Sequence, residues 1–467
     1  MGAGFQWKSV VTTATYYGLE PWSAIDIKER DWYVPELQRA FRQGSNYSQL
    51  VPIQVDFNAV RTKKMIWTGL WNLEPDITAI GARALWLDTM HPDGWQVELE
   101  LASYGGKIAL NKYDELITFF RSGGRQAGTL APICNDLMRF AIVDHLEKQI
   151  RNAFLGLPMR YIVGGGTGFG DISSSDVFDP DMAMDVCLEF AYNEVLDPNN
   201  PNGVSAVAFA SPGQIYQAQQ DATYIARAQY NDKNANALMR YEMGMYKGLR
   251  YVQHPINTLW NCGTIKAQAT VSSAISAGDG APDPASTTMY GAYKVGQQSG
   301  PTRYIQLGTM LEGAITDFDV GDKVSIHTER SDGDTQPYTV VNAPLPTDGT
   351  KVDRVIQAID STNNRLTFDK PIQKDYDTDL GSTVYAYVTK ALHIHAAVVI
   401  AAPGAVVGGF AQPPKIMFPP AIDDREAMYR ITWDSVHNYG LFRPETAVVI
   451  FSAGYASNWA YKRFGNE

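Results

Sequence analysis

Cysteine is scarce in this chain. Three residues of that type, Cys134, Cys187 and Cys262, are spread through 467 positions. They are too few and too far apart for a disulfide framework or a zinc site, so stability has to come from buried apolar surface, and a reducing compartment is the simplest setting. Positive charge is also short, with 39 Lys and Arg against 50 Asp and Glu and a formal net charge of -11. That balance argues against a dedicated nucleic-acid reader with a broad basic face. Long hydrophobic runs are missing too. The longest apolar stretch, around 392–410, is interrupted by His393, His395, Pro403 and several glycines, so no membrane span is expected there. The opening residues MGAGFQWKSVVTTATYYG lack a basic region followed by an apolar core, so no secretion leader is expected, and Gln6 stands where a myristoylation signal needs Ser or Thr.

What is present is an ordinary globular composition. At 45% hydrophobic, 11% aromatic and 19% charged residues, the chain is too apolar and aromatic to stay disordered, and its length allows two to four domains. The first sixty residues mix aromatics such as Trp7, Tyr16, Tyr17, Trp22, Trp32, Tyr33, Phe41 and Tyr47 with polar residues and keep no period. This predicts an arm whose large apolar groups are buried against something else, with a neighbouring subunit as acceptor or, in the plainer alternative, its own domain. From 60 to 110 the pattern is that of strands. Val97, Leu99 and Leu101 alternate with Gln96, Glu98 and Glu100 after the turn signal His91-Pro92-Asp93-Gly94. An extended two-stranded excursion with few core positions is expected, and such an excursion is hard to stabilise alone.

Helical spacing takes over at 131–154, where Ile133, Leu137, Phe140, Val143, Leu146, Ile150 and Phe154 recur at three or four residues. Thr129 and Pro132 suit the start and Gly156 with Pro158 the end of a helix roughly 36 Å long. Asp179-Pro180 caps a second helix reaching 196, a small apolar strand is expected at 204–210, and Ser211-Pro212 opens a third helix to about 222. The order is that of a mixed α+β domain. Between 268 and 300 Ser, Ala, Gly, Thr and Pro dominate, as in SSAISAGDGAPDPAS, which predicts a linker or exposed loop. Short strands with turns such as Ser331-Asp332-Gly333-Asp334 and Ser361-Thr362-Asn363-Asn364 then suggest a small all-β module up to about 388. The stretch 265–390 is thus read as an insertion.

Candidate sites are weak. Gly164-Gly165-Gly166-Thr167-Gly168-Phe169-Gly170 has glycines enough for a phosphate loop but lacks the Lys-Ser/Thr pair that reaches phosphate and magnesium, so a plain loop is expected. Asp317, Asp319 and Asp322 around Gly321 match a calcium loop poorly, because no Glu closes it, and a strand turn is expected instead. His393 and His395 lie two apart on an expected strand and so share a face. Without an evident third ligand they read as a structural pair at a sheet edge. No G-x-S-x-G elbow occurs. No catalytic, cofactor-binding or metal residue is assigned, and the chain is not expected to be an enzyme.

The order of arm, long hairpin, spine-length helix and mixed domain completed by the carboxyl end resembles the tailed-phage major capsid protein family with its Hong Kong 97-type fold. Local segments resemble the branch related to podovirus N-four: Ser211-Pro212-Gly213-Gln214 with Asp221, the run Tyr241-Glu242-Met243-Gly244-Met245-Tyr246-Lys247-Gly248-Leu249-Arg250-Tyr251-Val252, the strand Leu392-His393-Ile394-His395-Ala396-Ala397-Val398-Val399-Ile400, and the closing Asn438-Tyr439-Gly440 and Ala447-Val448-Val449-Ile450. The resemblance covers about 340 residues. It implies an N-terminal arm at 1–57, an extended hairpin loop at 58–112, a peripheral domain with the spine helix at 113–178 and the first part of an axial domain at 179–264. A linker with an inserted β-sandwich-like, Ig-like domain would follow at 265–390, and the axial and peripheral return at 391–467. It also implies self-assembly in many copies, as hexamers and pentamers of an icosahedral virion shell built in the host cytoplasm. Portal, scaffold and decoration or cement proteins would be partners, and double-stranded DNA would be enclosed without sequence-specific binding. An acidic wall fits that last role, since a basic lining would hold DNA by counterion release. The inserted module and the lack of an obvious helical scaffolding segment at the start depart from the family pattern and leave maturation open. Tail or baseplate proteins and β-rich adhesins are the rival class.

Overall fold

The structure, a computed structural model, describes residues 47, 50–55, 63–70, 93–111, 130–193, 195, 206–220, 245–246, 249–275, 304–328, 351–370, 372, 374, 376, 384–418 and 428–453. The chain opens with β1 (Ile53–Val55), β2 (Lys64–Leu70), β3 (Gly94–Glu100), β4 (Ala102–Asn111) and the helix α1 (Leu130–Leu155). The middle contains β5 (Arg160–Ile162), α2 (Pro180–Tyr192), β6 (Ala206–Ala210), α3 (Pro212–Gln219), β7 (Met245–Tyr246), β8 (Leu249–Gln253) and β9 (Thr258–Leu259). Then come β10 (Ile265–Val271), β11 (Tyr304–Glu312), β12 (Lys323–His327), β13 (Val352–Asp360), β14 (Arg365–Phe368) and β15 (Ala386–Ala391). The chain closes with β16 (Ile394–Ile400), β17 (Val406–Met417), β18 (Met428–Leu441) and β19 (Ala447–Ala453). The result is the expected mixed α+β architecture, dominated by strands.

A mixed sheet in the order β5-β19-β16-β6-β8-β7, with β9 also on β16, is the centre of the molecule. Strand periodicity of two splits its side chains between two cores. From β16 and β19, Ile394, Ala396, Val398, Val449 and Phe451 face one core together with Leu146, Ile150 and Phe154 of α1. Their neighbours Ala397, Val399, Val448 and Ile450 face the other, with Val186 and Phe190 of α2 and Ile215 of α3. A strand covered on both faces has no need of polar alternation, which is why 394–400 reads as nearly continuous apolar sequence.

The caps of the two shorter helices form as their sequences predict. The Asp179 side chain accepts from the Asp181 amide, and Pro180 starts α2. Ser211 and Gln214 make a reciprocal capping box at the start of α3, with Pro212 in the first turn. Helix α2 ends at Tyr192 and not at 196. Helix α1 is longer than expected at 26 residues, about 39 Å, and its buried face is the predicted one at Leu146, Ile150 and Phe154 but differs toward its start. Met138, Ile142, Leu146 and Ile150 are buried, whereas Leu137 is 57% and Phe140 73% exposed. The stripe at i, i+4 and i+8 is the one that meets the sheets. The competing residues at 137 and 140 satisfied the same spacing one turn-face away, and spacing alone does not choose between two apolar faces of one helix.

A second sheet, β1-β17-β18-β4, closes the first core from the other side. Strand β4 pairs with β18 over its whole length, from Ala102 with His437 to Asn111 with Met428. The end of the expected excursion, from 102 on, therefore belongs to the body. The remaining hairpin, β2 against β3, pairs from Lys64 with Glu100 to Leu70 with Gly94. Its base also has core positions: Leu99 and Leu101 of the expected alternation, together with Met65, pack with Val407 and Ala411. Two glycines permit that approach. A Cβ at Gly440 would stand 2.3 Å from Leu99 Cδ2, and one at Gly409 would stand 2.6 Å from Met65 Sδ.

The inserted module is a closed barrel, β10-β11-β14-β13-β12-β15, and not the two-sheet sandwich expected. It starts earlier than its composition suggests. Residues 268–271, placed in the linker by their small side chains, are part of β10, whose Ala267, Ala269 and Val271 point into the barrel with Ile305, Ile326, Ile356 and Phe368. Small residues there fill a narrow interior, so their size reports barrel geometry instead of exposure.

Candidate assembly surfaces and buried polar clusters

Tyr47 is fully buried. Its ring stacks on His254 at 4.7 Å and lies 4.9 Å from Phe209 and 5.4 Å from Phe154. Its hydroxyl donates to Asn257 Oδ1 at 2.8 Å, and its amide donates to Glu147 Oε2 at 3.3 Å. Burial pushes the phenol well above its ordinary pKa. The same Glu147 oxygen lies 3.0 Å from His254 Nε2, both side chains being inaccessible. Arg151, one turn on, donates to the carbonyl of Ile256 at 2.8 Å. This cluster joins the first described residue to α1, the turn after β8 and, through the Asn257 amide on Phe209 O, the central sheet. The arm thus turns into its own core at Tyr47, which follows the plainer of the two expectations. The fate of Trp7, Tyr16, Tyr17, Trp22, Trp32, Tyr33 and Phe41 lies outside the described residues. Nothing in the periodicity of α1 distinguishes Glu147 and Arg151 from a solvated pair, so sequence reasoning missed this cluster.

The two histidines do not share a strand: His395 sits in the sheet interior and not at an edge, because β16 has β19 on one side and β6 with β9 on the other, whereas His393 lies in the short link between β15 and β16. His395 Nδ1 meets Ser211 Oγ at 2.7 Å. Burial pulls its pKa down to about 4. His393 Nδ1 accepts from the amide of Asn261 at 3.0 Å, which leaves the proton on Nε2, and burial with nearby positive charge pushes its pKa well below the usual value. A third histidine that no motif announced, His437, stacks on Phe410 at 5.1 Å and stands 5.6 Å from His145. Burial, with His145 second, pulls it down to about 3. Among the described residues no three His, Cys, Asp or Glu side chains converge as metal ligands. Cys187 and Cys262 carry free thiols.

The glycine loop is already occupied by an anion of its own. Asp171 Oδ2 accepts from the amides of Thr167 at 2.9 Å and Gly168 at 3.0 Å, and these bonds hold its carboxyl below the usual pKa. Gly164 and Gly165, at φ +88° and +74°, make the turn. The Asp317-Asp322 turn likewise carries its own cation. The Lys390 ammonium lies 2.5 Å from Asp322 Oδ2 and 3.9 Å from Asp319 Oδ2, and it donates to the carbonyl of Asp317. Both motifs are self-contained turns.

Among the described residues, several large apolar groups remain exposed. Leu137 and Phe140 lie on the outer face of α1; Met184, Leu188 and Tyr192, spaced by four on α2, are 52%, 53% and 75% exposed; Ile66 and Leu70 project from the hairpin at 50% and 75%. A stripe at i, i+4 and i+8 is one continuous helical face, and ordered apolar faces of this kind mark protein contacts.

No protein-family model matches the chain, and no curated protein matches it. Among solved structures, the chain is similar to the cyanophage Pam1 capsid asymmetric unit, with a TM-score of 0.46 and 9% identity over 84% of this chain and 86% of that one. It is similar to the capsid of Ralstonia phage GP4, with a TM-score of 0.44 and 8% identity over 89% and 92%, and to Mycobacterium phage Che8, with a TM-score of 0.41 and 10% identity over 87% and 90%.

Proposed function

We propose that this chain is the major capsid protein of a tailed bacteriophage, a non-enzymatic subunit that self-assembles into an icosahedral shell around double-stranded DNA. The observation that carries the proposal is the combination of a well-packed two-core body with apolar side chains left wet on α1, on α2 and on a projecting hairpin. A lone globular protein has no use for such faces, whereas a subunit in a closed cage buries a different face on each neighbour through heterologous contacts. In this proposal the fold is of the Hong Kong 97 type, with the barrel as its inserted domain, and capsomers are hexamers and pentamers. Portal, scaffold and decoration proteins are partners, assembly is in the host cytoplasm, and the acidic chain lets packaged DNA slide.

Negative-stain microscopy of the purified full chain, concentrated and held at moderate salt, tests this. Polyhedral shells or flat hexagonal sheets are the expected result. A monodisperse monomer at every concentration, or long tubes without closed shells, would overturn it, tubes pointing to a tail protein.

A further inference from the structure

We infer that the seam between α1 and the second sheet is a proton-operated contact: His145 of α1 and His437 of β18 keep it closed while both are neutral and open it once they carry charge. Helix α1 packs on β18 and β17. There the two imidazoles meet edge-on, with ring centres 5.6 Å apart. Tyr104 of β4 lies beside both, 4.9 Å from His145 and 4.7 Å from His437. Trp433 stands 5.4 Å from His145, and Phe410 of β17 stacks on His437. Four elements thus bring two bases together among aromatic rings.

Hydrogen bonding identifies the atom that takes the proton. His437 is inaccessible. Ser435 Oγ donates its only proton to the carbonyl of Gln412 at 3.1 Å, so towards His437 it is an acceptor, and Nδ1 supplies the hydrogen across 2.9 Å. Nε2 is then the bare nitrogen of the neutral ring. It is buried and has no hydrogen-bond partner among the described residues, and the same holds for His145 Nε2. A proton arriving on His437 Nε2 becomes a donor with no acceptor, on an ion removed from water, and both features disfavour the closed seam.

The charged groups around the pair do not compensate. Asp144 and Lys148 of α1 act on His145 in opposite directions and pair with each other at 2.5 Å. Glu147 of the same helix is engaged by His254 at 3.0 Å and by the Tyr47 amide. On β18 the inward neighbours are Trp433, Ser435 and Tyr439, whose phenol burial keeps neutral. Neighbouring rings attract an imidazolium less than the water it gives up. Burial accordingly lowers the pKa of both histidines, that of His437 to about 3 with His145 as the second cause. Tyr104 and His145 line the cleft beside the barrel, so protons reach the pair from solvent past His145. Lys323, Lys351, Asp353, Arg354 and Lys374 line the same cleft, and Asp353, the acid among these five, lies 4.0 Å from Lys351. The device works within one subunit and does not depend on shell formation.

Hydrogen/deuterium exchange of the full, unassembled chain, read by peptide and corrected for the intrinsic pH dependence of exchange, tests the inference. From pH 7.5 to pH 5, opening in peptides covering 142–150 and 431–439 should rise by about thirtyfold through His437 alone. That is the ratio for a group titrating near 6.5 when the seam is open and near 3 when it is closed. Peptide 394–400 of the central sheet should remain slower to exchange than the seam. His437→Gln should remove about that factor, and His145→Gln should also reduce the rise. If His437→Gln does not fold, judged by circular dichroism, His145→Gln at its partly exposed position decides the matter. An unchanged rise in the histidine variants, no rise by pH 5, or 394–400 exchanging as fast as the seam, which is unfolding of the whole body, would each overturn the inference.

Discussion

Ile142 and Phe140 lie two positions apart on one helix and have opposite fates, the first inaccessible and the second 73% exposed. The difference sets the cost of a charge at each. Ile142→Asp puts a carboxylate into the core it shares with Leu146 and Ile150, and about 3–5 kcal/mol should be lost. Phe140→Asp should leave the subunit's own stability within about 0.5 kcal/mol while weakening assembly, because an exposed apolar group on an interface contributes only after a neighbour covers it. Urea unfolding of the two variants, followed by sedimentation of assembled material, checks both outcomes. Equal destabilisation would show that the outer face of α1 is also part of the core.

At the scale of elements, the buried histidines tie the two sheets to pH. His395 and His437 have folded-state pKa values lowered to about 4 and about 3, below the ordinary histidine value near 6.5. Between those limits the unfolded chain binds more protons than the folded one, so stability rises with pH and is lost as pH falls from about 6.5. Moving from pH 7.5 to pH 5 should remove about 2 kcal/mol for each of the two groups. The neutral variant His437→Gln should flatten that slope, which denaturant titrations across pH 5 to 8 would reveal; a slope unchanged in His437→Gln would refute the assignment. The hairpin is the other element with a testable role. Its described part belongs to the subunit, through Met65 and Leu99 toward the base and, beside the Leu70–Gly94 pair, the Trp95 indole donating to the carbonyl of Phe442 at 3.1 Å. Its far end is therefore the part to remove. Because Leu70 pairs with Gly94, replacing residues 71–93 by an Asn-Gly turn should close the hairpin without strain. The shortened chain is expected to fold and to remain unassembled in size-exclusion chromatography, and normal shells from it would show that the hairpin end is not an intersubunit contact.

For the whole molecule, the barrel enters and leaves at one place, since Ile265 and Ala391 are paired neighbours at the ends of β10 and β15. Its core, from Ala267 to Val388, is its own. A fragment spanning 263–392 should fold alone with a cooperative thermal transition, whereas 300–390 should not, because it lacks β10 and an open barrel exposes two edges and its interior. Replacing 265–391 by a short Gly/Ser linker should leave the two-core body folded. Collapse of that truncated chain would mean that contacts across the junction, such as Asn261 with Ser325 and Lys323, are essential to the body.

The sequence by itself determined what a few neighbouring residues can settle: the caps at Asp179 and Ser211, the period of α1, the alternation in β3 and the unbroken apolar strand at 394–400. Each follows from local backbone geometry and hydrogen bonding, which act over one or two turns of chain. Tertiary structure decided the rest. It chose which apolar face of α1 is buried, turned Tyr47 inward onto Glu147 and Asn257, which are 100 and 210 residues away, and closed six strands into a barrel by pairing β10 with β15. Those outcomes depend on which surfaces meet, and the burial and pairing free energies that select them are properties of contacts between distant segments, which no window of sequence contains.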